Sequence, residues 1–258
     1  ILGETTKEYT FEACGETLDM AQLQEIWEAK LEPVYPYRKA GPTVEPITGS
    51  LTAPAAPKIG VAKPKVIIPV FPGTNCEYDT AKAFARAGAD PEILVIRNLT
   101  PADVTASCEA LVKAIDNSQI VMLPGGFSGG DEPDGSAKFI ASFFRNPEVT
   151  EAVRRLLQQR DGLMLGICNG FQALIKLGLV PYGDIRPITA YDPTLTFNTI
   201  GRHQSMLVRT RVASTGSPWL SKCEVGEQFT VAISHGEGRF VAPQEVLDTL
   251  MKNGQIAT

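Results

Sequence analysis

The chain has little of what metal centres and disulfide frameworks need. It holds only two histidines, His203 and His235, and five cysteines, Cys14, Cys76, Cys108, Cys168 and Cys223. The cysteine count is odd, the spacings are wide and there is no C-x-x-C pair. A zinc site of thiolates and imidazoles is hard to build from that set, and free thiols in a reducing cytoplasm are the simplest expectation. Positive charge is not in excess either: 24 Lys and Arg face 29 Asp and Glu, a net charge of −5. That balance argues against a broad nucleic-acid surface. No apolar run approaches the roughly 18–20 residues of a membrane-spanning helix, so no membrane partner is expected. The opening ILGETTKEYT has neither a basic nor an apolar stretch, so no secretory signal is read there. It also lacks an initiator Met, as expected of a piece cut from a longer chain. What is present is ordinary globular composition: 43% hydrophobic and 21% charged over 258 residues, enough for one large domain or two small ones.

Three stretches differ in texture. In residues 1–32, LDMAQLQEIWEAKLE puts Leu23, Ile26, Trp27 and Leu31 on one helical stripe, which needs a partner surface to bury it. Residues 33–64 carry seven prolines and read as an extended linker, or as a belt along a neighbouring domain. From Lys65 to Thr258 the pattern is regular. KVIIPVF, EILVIR, QIVMLP and GLMLGI are short apolar strands of the kind buried on both faces of a parallel sheet. Helices alternate with them. CEYDTAKAFARAGAD turns Ala81, Phe84 and Ala85 inward and ends at Gly88. Thr100-Pro101-Ala102-Asp103 opens another helix with a capping box. QSMLVRTRV and QFTVAISH are longer, partly alternating strands. The expected fold is α/β: an open, mostly parallel sheet with helices on both faces and an antiparallel extension.

Such sheets bind and react at the carboxyl ends of their strands. Three loops fall there: FPGTNCE (71–77), PGGFSGG (124–130) and GICNGF (166–171). Gly166-Ile167-Cys168-Asn169-Gly170 is G-x-C-x-G, the thiol counterpart of the serine elbow of α/β hydrolases. A nucleophile on so sharp a strand-to-helix turn is strained, and side chains two residues either side would collide. The helix N-terminus favours a thiolate, and the Asn169 N–H lies where an oxyanion would form. A nucleophilic thiol needs a base, and the base needs an orienting group. Ser234-His235-Gly236-Glu237-Gly238 offers both, because residues i and i+2 of an extended segment share a face. Glu237 would then hold His235 in one tautomer. The PGGFSGG loop is a candidate second oxyanion donor and is not a P-loop, since no G-K-[ST] follows.

G-I-C-N-G-F-Q, S-H-G-E-G-R-F and P-G-G-F-S together resemble the class I (triad) glutamine amidotransferases. Within that class F-P-G-T-N-C-E and the Asn169-Gly170-Phe171-Gln172 elbow are most similar to the glutaminase domains of phosphoribosylformylglycinamidine synthases. The resemblance covers Lys65 to the end. It implies a flavodoxin-like sheet, with Cys168, His235 and Glu237 as catalytic triad. Gly126 and Asn169 would donate oxyanion N–H groups. Gly125, Phe127, Gln172 and Asn198 would contact glutamine. A glutamyl thioester would form, and ammonia would pass to an ATP-dependent synthetase site. No ATP motif occurs here, so ATP and Mg would belong to the synthetase portion, and no cofactor is expected on this chain. Residues 1–32 and 33–64 look like the end of that synthetase and a linker, as in the long single-chain form. Relatives continue beyond G-E-G-R-F, so a C-terminal tail past Thr258 is implied, and the fragment is expected to work poorly alone.

Two other readings compete. DJ-1/PfpI-like cysteine hydrolases share the sheet, but their elbow puts His directly after Cys, where this chain has Asn169. A non-catalytic module that docks and senses glutamine would be expected to lose the cysteine or the histidine; this chain keeps both. Cys76 sits at a strand-to-helix turn as Cys168 does, yet has no glycine two residues on, and its loop reads as structural or partner-facing. Cys108 reads as core, Cys223 as a polar-loop residue and His203 as surface. The acidic segment 130–138 has no catalytic reading.

Overall fold

The computed structural model describes residues 3–36, 45–47, 60–130 and 137–258. Most of the proline-rich linker and of the acidic 130–138 segment therefore lies outside the described residues. The chain divides into two compact units, Ile1–Glu45 and Pro46–Thr258.

The first unit holds a hairpin that the sequence reading did not anticipate. β1 (Thr10–Ala13) and β2 (Glu16–Asp19) pair antiparallel across Cys14 and Gly15. Both turn residues have positive φ, 54° and 79°, as a two-residue type I′ connection requires. α1 (Met20–Ala29) follows, with Asp19 as N-cap accepting from Ala21 N at 2.8 Å. The helix is shorter than the periodicity predicts. Its apolar stripe is uncovered within this unit: Trp27 is 79% exposed and Ile26 63%.

The second unit is the expected α/β body. β3 (Lys65–Val70), β4 (Asp90–Val95), β5 (Ile120–Leu123) and β6 (Leu163–Gly166) form a parallel sheet in the order β4-β3-β5-β6. Alternation within each strand sorts side chains to two faces. Val66, Ile68, Ile120 and Met122 face one cluster, packed with Ala81 and Phe84 of α2 (Glu77–Arg86). Ile67, Val121 and Leu123 face the other, filled by α3 (Pro101–Asp116), α4 (Lys138–Phe144), α5 (Pro147–Arg154) and α6 (Asn169–Leu177). Both faces are thus covered, which is why these strands read as continuous apolar runs. Ala85 is exposed rather than inward, one residue past the stripe that Ala81 and Phe84 share. Gly88, at φ 91°, ends α2 as expected. At α3 the capping box is complete: Asp103 N donates to Thr100 Oγ1 at 3.1 Å and Thr100 N to Asp103 Oδ2 at 3.2 Å.

The order β4-β3-β5 reverses direction at β3, so a crevice opens at the carboxyl ends of β3 and β5. Phe71 anchors the loop there. It is 2% exposed and meets Phe139 and Phe143 of α4 edge-to-face, at 5.7 and 5.5 Å.

After α6 comes a single irregular turn, α7 (Leu179–Tyr182), and then a loop fastened around Asp192. This nearly buried carboxylate accepts from Tyr182 Oη at 2.6 Å, Thr189 N at 2.7 Å and Thr189 Oγ1 at 2.9 Å, and from the Arg186 guanidinium. Those donors, the tyrosine first, hold it well below the usual aspartate range. The knot delivers the chain to β7 (Thr194–Thr196), which pairs antiparallel with β10 (Arg239–Val241). β8 (Gln204–Arg211) and β9 (Gln228–His235) form an eight-pair antiparallel ladder from Gln204↔His235 to Arg211↔Gln228. The antiparallel part exists as these two separate two-stranded ladders among the described residues. α8 (Gln244–Lys252) closes the described chain.

Candidate active site

The elbow is built by close backbone contact. Cys168 caps α6 with φ 54° and ψ −112°, a conformation that costs a non-glycine residue about 1–3 kcal/mol, and its side chain is exposed. Both flanking glycines are sterically required. A Cβ on Gly166 would sit 2.6 Å from the Gly170 carbonyl, and one on Gly170 would sit 2.0 Å from Leu123 O. Gly170 N donates to Pro124 O at 3.0 Å, which ties the elbow to the end of β5. The strained cysteine is therefore held from both sides.

The glycine loop after β5 faces it. A Cβ on Gly125 would approach Cys168 Cβ to 3.3 Å and Sγ to 3.8 Å. Gly126 has φ 119°, and its backbone presses on the loop after β3: a Cβ there would meet Gly73 O at 2.4 Å and Asn75 N at 2.6 Å. The two loops are joined by Asn75 N→Gly125 O at 2.9 Å and Phe127 N→Gly73 O at 2.8 Å. These bonds flank Gly126 and leave its own N–H out of the bridge. FPGTNC thus scaffolds the glycine loop, which is the structural reading of that segment. Gly73 and Asn75 are contributors that sequence reasoning did not single out; the paired glycines at 73 and 125–126 were the available signal. Phe127 is exposed, and Ser128, beside it, is buried with its Oγ unpartnered among the described residues.

The side chain of Asn169 is buried at 1% exposure. Its Oδ1 accepts from Ser128 N at 3.2 Å and its Nδ2 donates to Gln172 Oε1 at 3.1 Å. Its backbone N–H belongs to the first turn of α6, where helical N–H groups have no intrahelical acceptor. Gln172 Nε2 donates to Glu237 O at 3.0 Å, so the first turn of α6 touches the segment that carries His235.

That segment differs from the sequence expectation. The partner of His235 Nδ1 is Asn198 Oδ1, at 2.9 Å, and not the Glu237 carboxylate. The reason is local. The i, i+2 argument needs extended backbone, but β9 stops at His235 and the chain bends at Gly236 and Glu237. The imidazole instead folds over Gly238, where any Cβ would lie 2.3 Å from its ring. Asn198 arrives two residues after β7, opposite the start of β10. It is 8% exposed. Its side-chain amide is engaged within the protein, Nδ2 donating to Arg202 O at 3.0 Å and to His235 O at 2.7 Å.

His203 is exposed, as expected. Its Nε2 lies 2.9 Å from Ser234 Oγ and 3.2 Å from Ser205 Oγ, on the opposite face of the ladder from His235. Cys108 is buried, and burial raises its thiol above the ordinary value. Among the described residues there is no cluster of His, Cys, Asp and Glu fit to hold a metal, and no helix long and apolar enough to cross a membrane.

Comparisons with known proteins identify the family. The family model for the CobB/CobQ-like glutamine amidotransferase domain matches residues 63–258. The phosphoribosylformylglycinamidine synthase subunit PurQ of Rubrobacter xylanophilus is 34% identical over 192 residues, covering 74% of this chain and 73% of that protein. The same subunit of Mycolicibacterium paratuberculosis is 38% identical over 193 residues, covering 74% and 72%. Among solved structures, PurLQS from Thermotoga maritima superposes with a TM-score of 0.52 at 26% identity, covering 71% of each chain. An exposed cysteine on a glycine-flanked elbow, the sheet that carries it and these relatives lead to one statement: the chain belongs to the CobB/CobQ-like glutamine amidotransferase family.

Proposed function

We propose that this chain carries the glutaminase half-reaction of phosphoribosylformylglycinamidine synthase, in purine biosynthesis. The observation that supports this most is the strained, exposed Cys168 at the α6 N-terminus, facing Gly125. In this reading the Cys168 thiolate attacks the side-chain amide carbon of glutamine. The carbonyl electron pair becomes an oxyanion, received by the N–H groups of Gly126 and Asn169. His235 carries a proton to the leaving nitrogen, and ammonia departs as the thioester forms. Water then attacks the thioester, with His235 taking its proton, and glutamate and thiolate are released. Gly125, Phe127 and Gln172 contact the bound glutamine. Glu237 is the proposed third member of the triad by family resemblance, while in this structure His235 Nδ1 meets Asn198 Oδ1.

The PurLQS neighbour supports a synthetase partner. Ammonia would pass to its ATP-dependent site, where ATP and Mg act; this chain's residues only generate the ammonia. Residues 1–64 fit the end of that synthetase and a linker, as in a single-chain form working in the cytoplasm.

The test is thiol labelling with a glutamine-mimicking electrophile, read by peptide mass spectrometry. Labelling confined to Cys168, blocked by glutamine and slowed in His235→Ala is the expected result. Labelling spread over Cys76, Cys108 and Cys223 without protection by glutamine would defeat the proposal.

A further inference from the structure

Two clefts meet where α4, α5 and α6 come together with the segment that follows Asp184. The larger, about 530 Å³, is lined by Arg145, Thr150, Ile185, Arg186, Pro187 and Ile188. The smaller, about 320 Å³, is lined by Lys138 and Ser142 of α4 and by Ile175 and Lys176 of α6, and shares Arg145 and Ile188 with the first. These two shared residues form the wall between the clefts. Every charged side chain among the described lining residues is a cation: Lys138, Arg145, Lys176 and Arg186. No Asp or Glu is among them, in a chain whose acidic residues outnumber its basic ones 29 to 24. A concave surface carrying one sign of charge concentrates ions of the other sign.

Both arginines are braced. Arg145 directly follows α4, and its Nη2 donates to Lys176 O at 2.7 Å; no carboxylate pairs with it among the described residues. Arg186 lies over the Tyr182 ring, its Cζ 3.6 Å from the centre, and donates from Nη2 to Asp192. Asp192 is not among the residues lining the larger cleft. A guanidinium already held in place loses little freedom on binding, and its planar fork matches the oxygens of a phosphate. The remaining wall of the larger cleft is mostly apolar, supplied by Ile185, Pro187 and Ile188. A few placed polar groups on an apolar wall, at this volume, is the usual construction of a small-molecule site. None of these residues belongs to the elbow, the glycine loop or the 235–238 turn. We infer that this cleft binds a small organic phosphate of about the size of a nucleoside monophosphate. The phosphate sits on Arg145 and Arg186, and the body lies against Ile185, Pro187 and Ile188. The inference goes beyond the glutaminase reading and does not rest on it.

Isothermal titration of the full chain at fixed ionic strength tests it. The probes are phenyl phosphate and AMP; the controls are phenol, adenosine and inorganic phosphate. At least one ester should bind saturably and one to one, about tenfold or more tighter than its dephosphorylated counterpart and than inorganic phosphate. Arg145→Gln should weaken that binding roughly 10–100-fold, the scale of a lost charge-assisted hydrogen bond. Labelling of Cys168 by the glutamine-mimicking electrophile should be unchanged in this variant, because Arg145 contacts α6 at the end away from the elbow. Should Arg145→Gln not fold, Ile188→Glu decides: it puts a carboxylate on the half-buried shared wall and should abolish binding. No saturable binding of either ester would overturn the inference. So would binding that the substitutions leave unchanged, or inorganic phosphate bound as tightly as the esters. The titrations read binding and not hydrolysis, so this inference and the glutaminase reading can fail separately.

Discussion

Gly170 carries the sharpest residue-scale prediction. Its Cβ position lies 2.0 Å from a buried backbone oxygen, Leu123 O, and neither β5 nor α6 has room to withdraw. Gly170→Ala should destabilise the fold by about 2–3 kcal/mol, as overpacking does. Differential scanning calorimetry should show a Tm lower by roughly 5–10 °C for a body of this size. A Tm within 1 °C of wild type, about the noise of the measurement, would mean that the elbow is not as tight as described. This requirement was readable from G-x-C-x-G, because the steric demand of an elbow is local and involves residues adjacent in sequence. The contact of Asn198 with His235 was not. It depends on two strand ends, β7 and β9, that lie some 40 residues apart and meet only through the β7–β10 ladder.

Element boundaries decided what else could be foreseen. The four parallel strands, α3 with its capping box and the glycine that ends α2 were legible because each carries its own punctuation. Thr100→Ala removes the acceptor for Asp103 N and should cost about 1 kcal/mol, measured as a shift in urea midpoint at unchanged slope. The pairing of Glu237 with His235 failed for an equally local reason. The sequence does not say where β9 stops, and an i, i+2 relation changes face at a bend. The hairpin at the start of the chain went unseen because β1 and β2 have four residues each and almost no buried side, so no alternation marks them.

Acid stability belongs to the whole molecule. Two carboxylates hold separate parts of the α/β body together: Asp192 in its knot, and Asp184 with Arg154 at 2.8 Å. Tyr182 and the Thr189 donors depress the first, and the Arg154 guanidinium depresses the second. A carboxylate with a lowered native pKa stabilises fully above its ordinary value of 3.8 and loses that contribution as the pH falls through the native one. Stability should therefore be level from neutrality to about pH 5 and decline below pH 4. Asp192→Asn should be less stable at pH 7 and show a shallower decline, seen in urea midpoints at pH 7, 5 and 3.5. A wild type equally stable at pH 3.5 and 7 would contradict this. The net charge of −5 and a pI near 5.2 place the solubility minimum at a higher pH than this decline, within the range where stability is still level.

The β8–β9 ladder sets one more property. In a ribbon, a shift of one residue exchanges faces completely, so His235 and its neighbour Ser234 would trade places. No third strand indexes this ribbon among the described residues. The registration is held instead from the back, where Ser205 and Ser234, directly opposite each other, lie 3.0 Å apart under His203. Amide exchange along β9 should accelerate in Ser205→Ala/Ser234→Ala, and unchanged exchange would show that the three side chains do not index it. The ladder thus behaves like a vernier with discrete stops: the imidazole is either in gear with Asn198 or a full notch, about 3.4 Å, out of it.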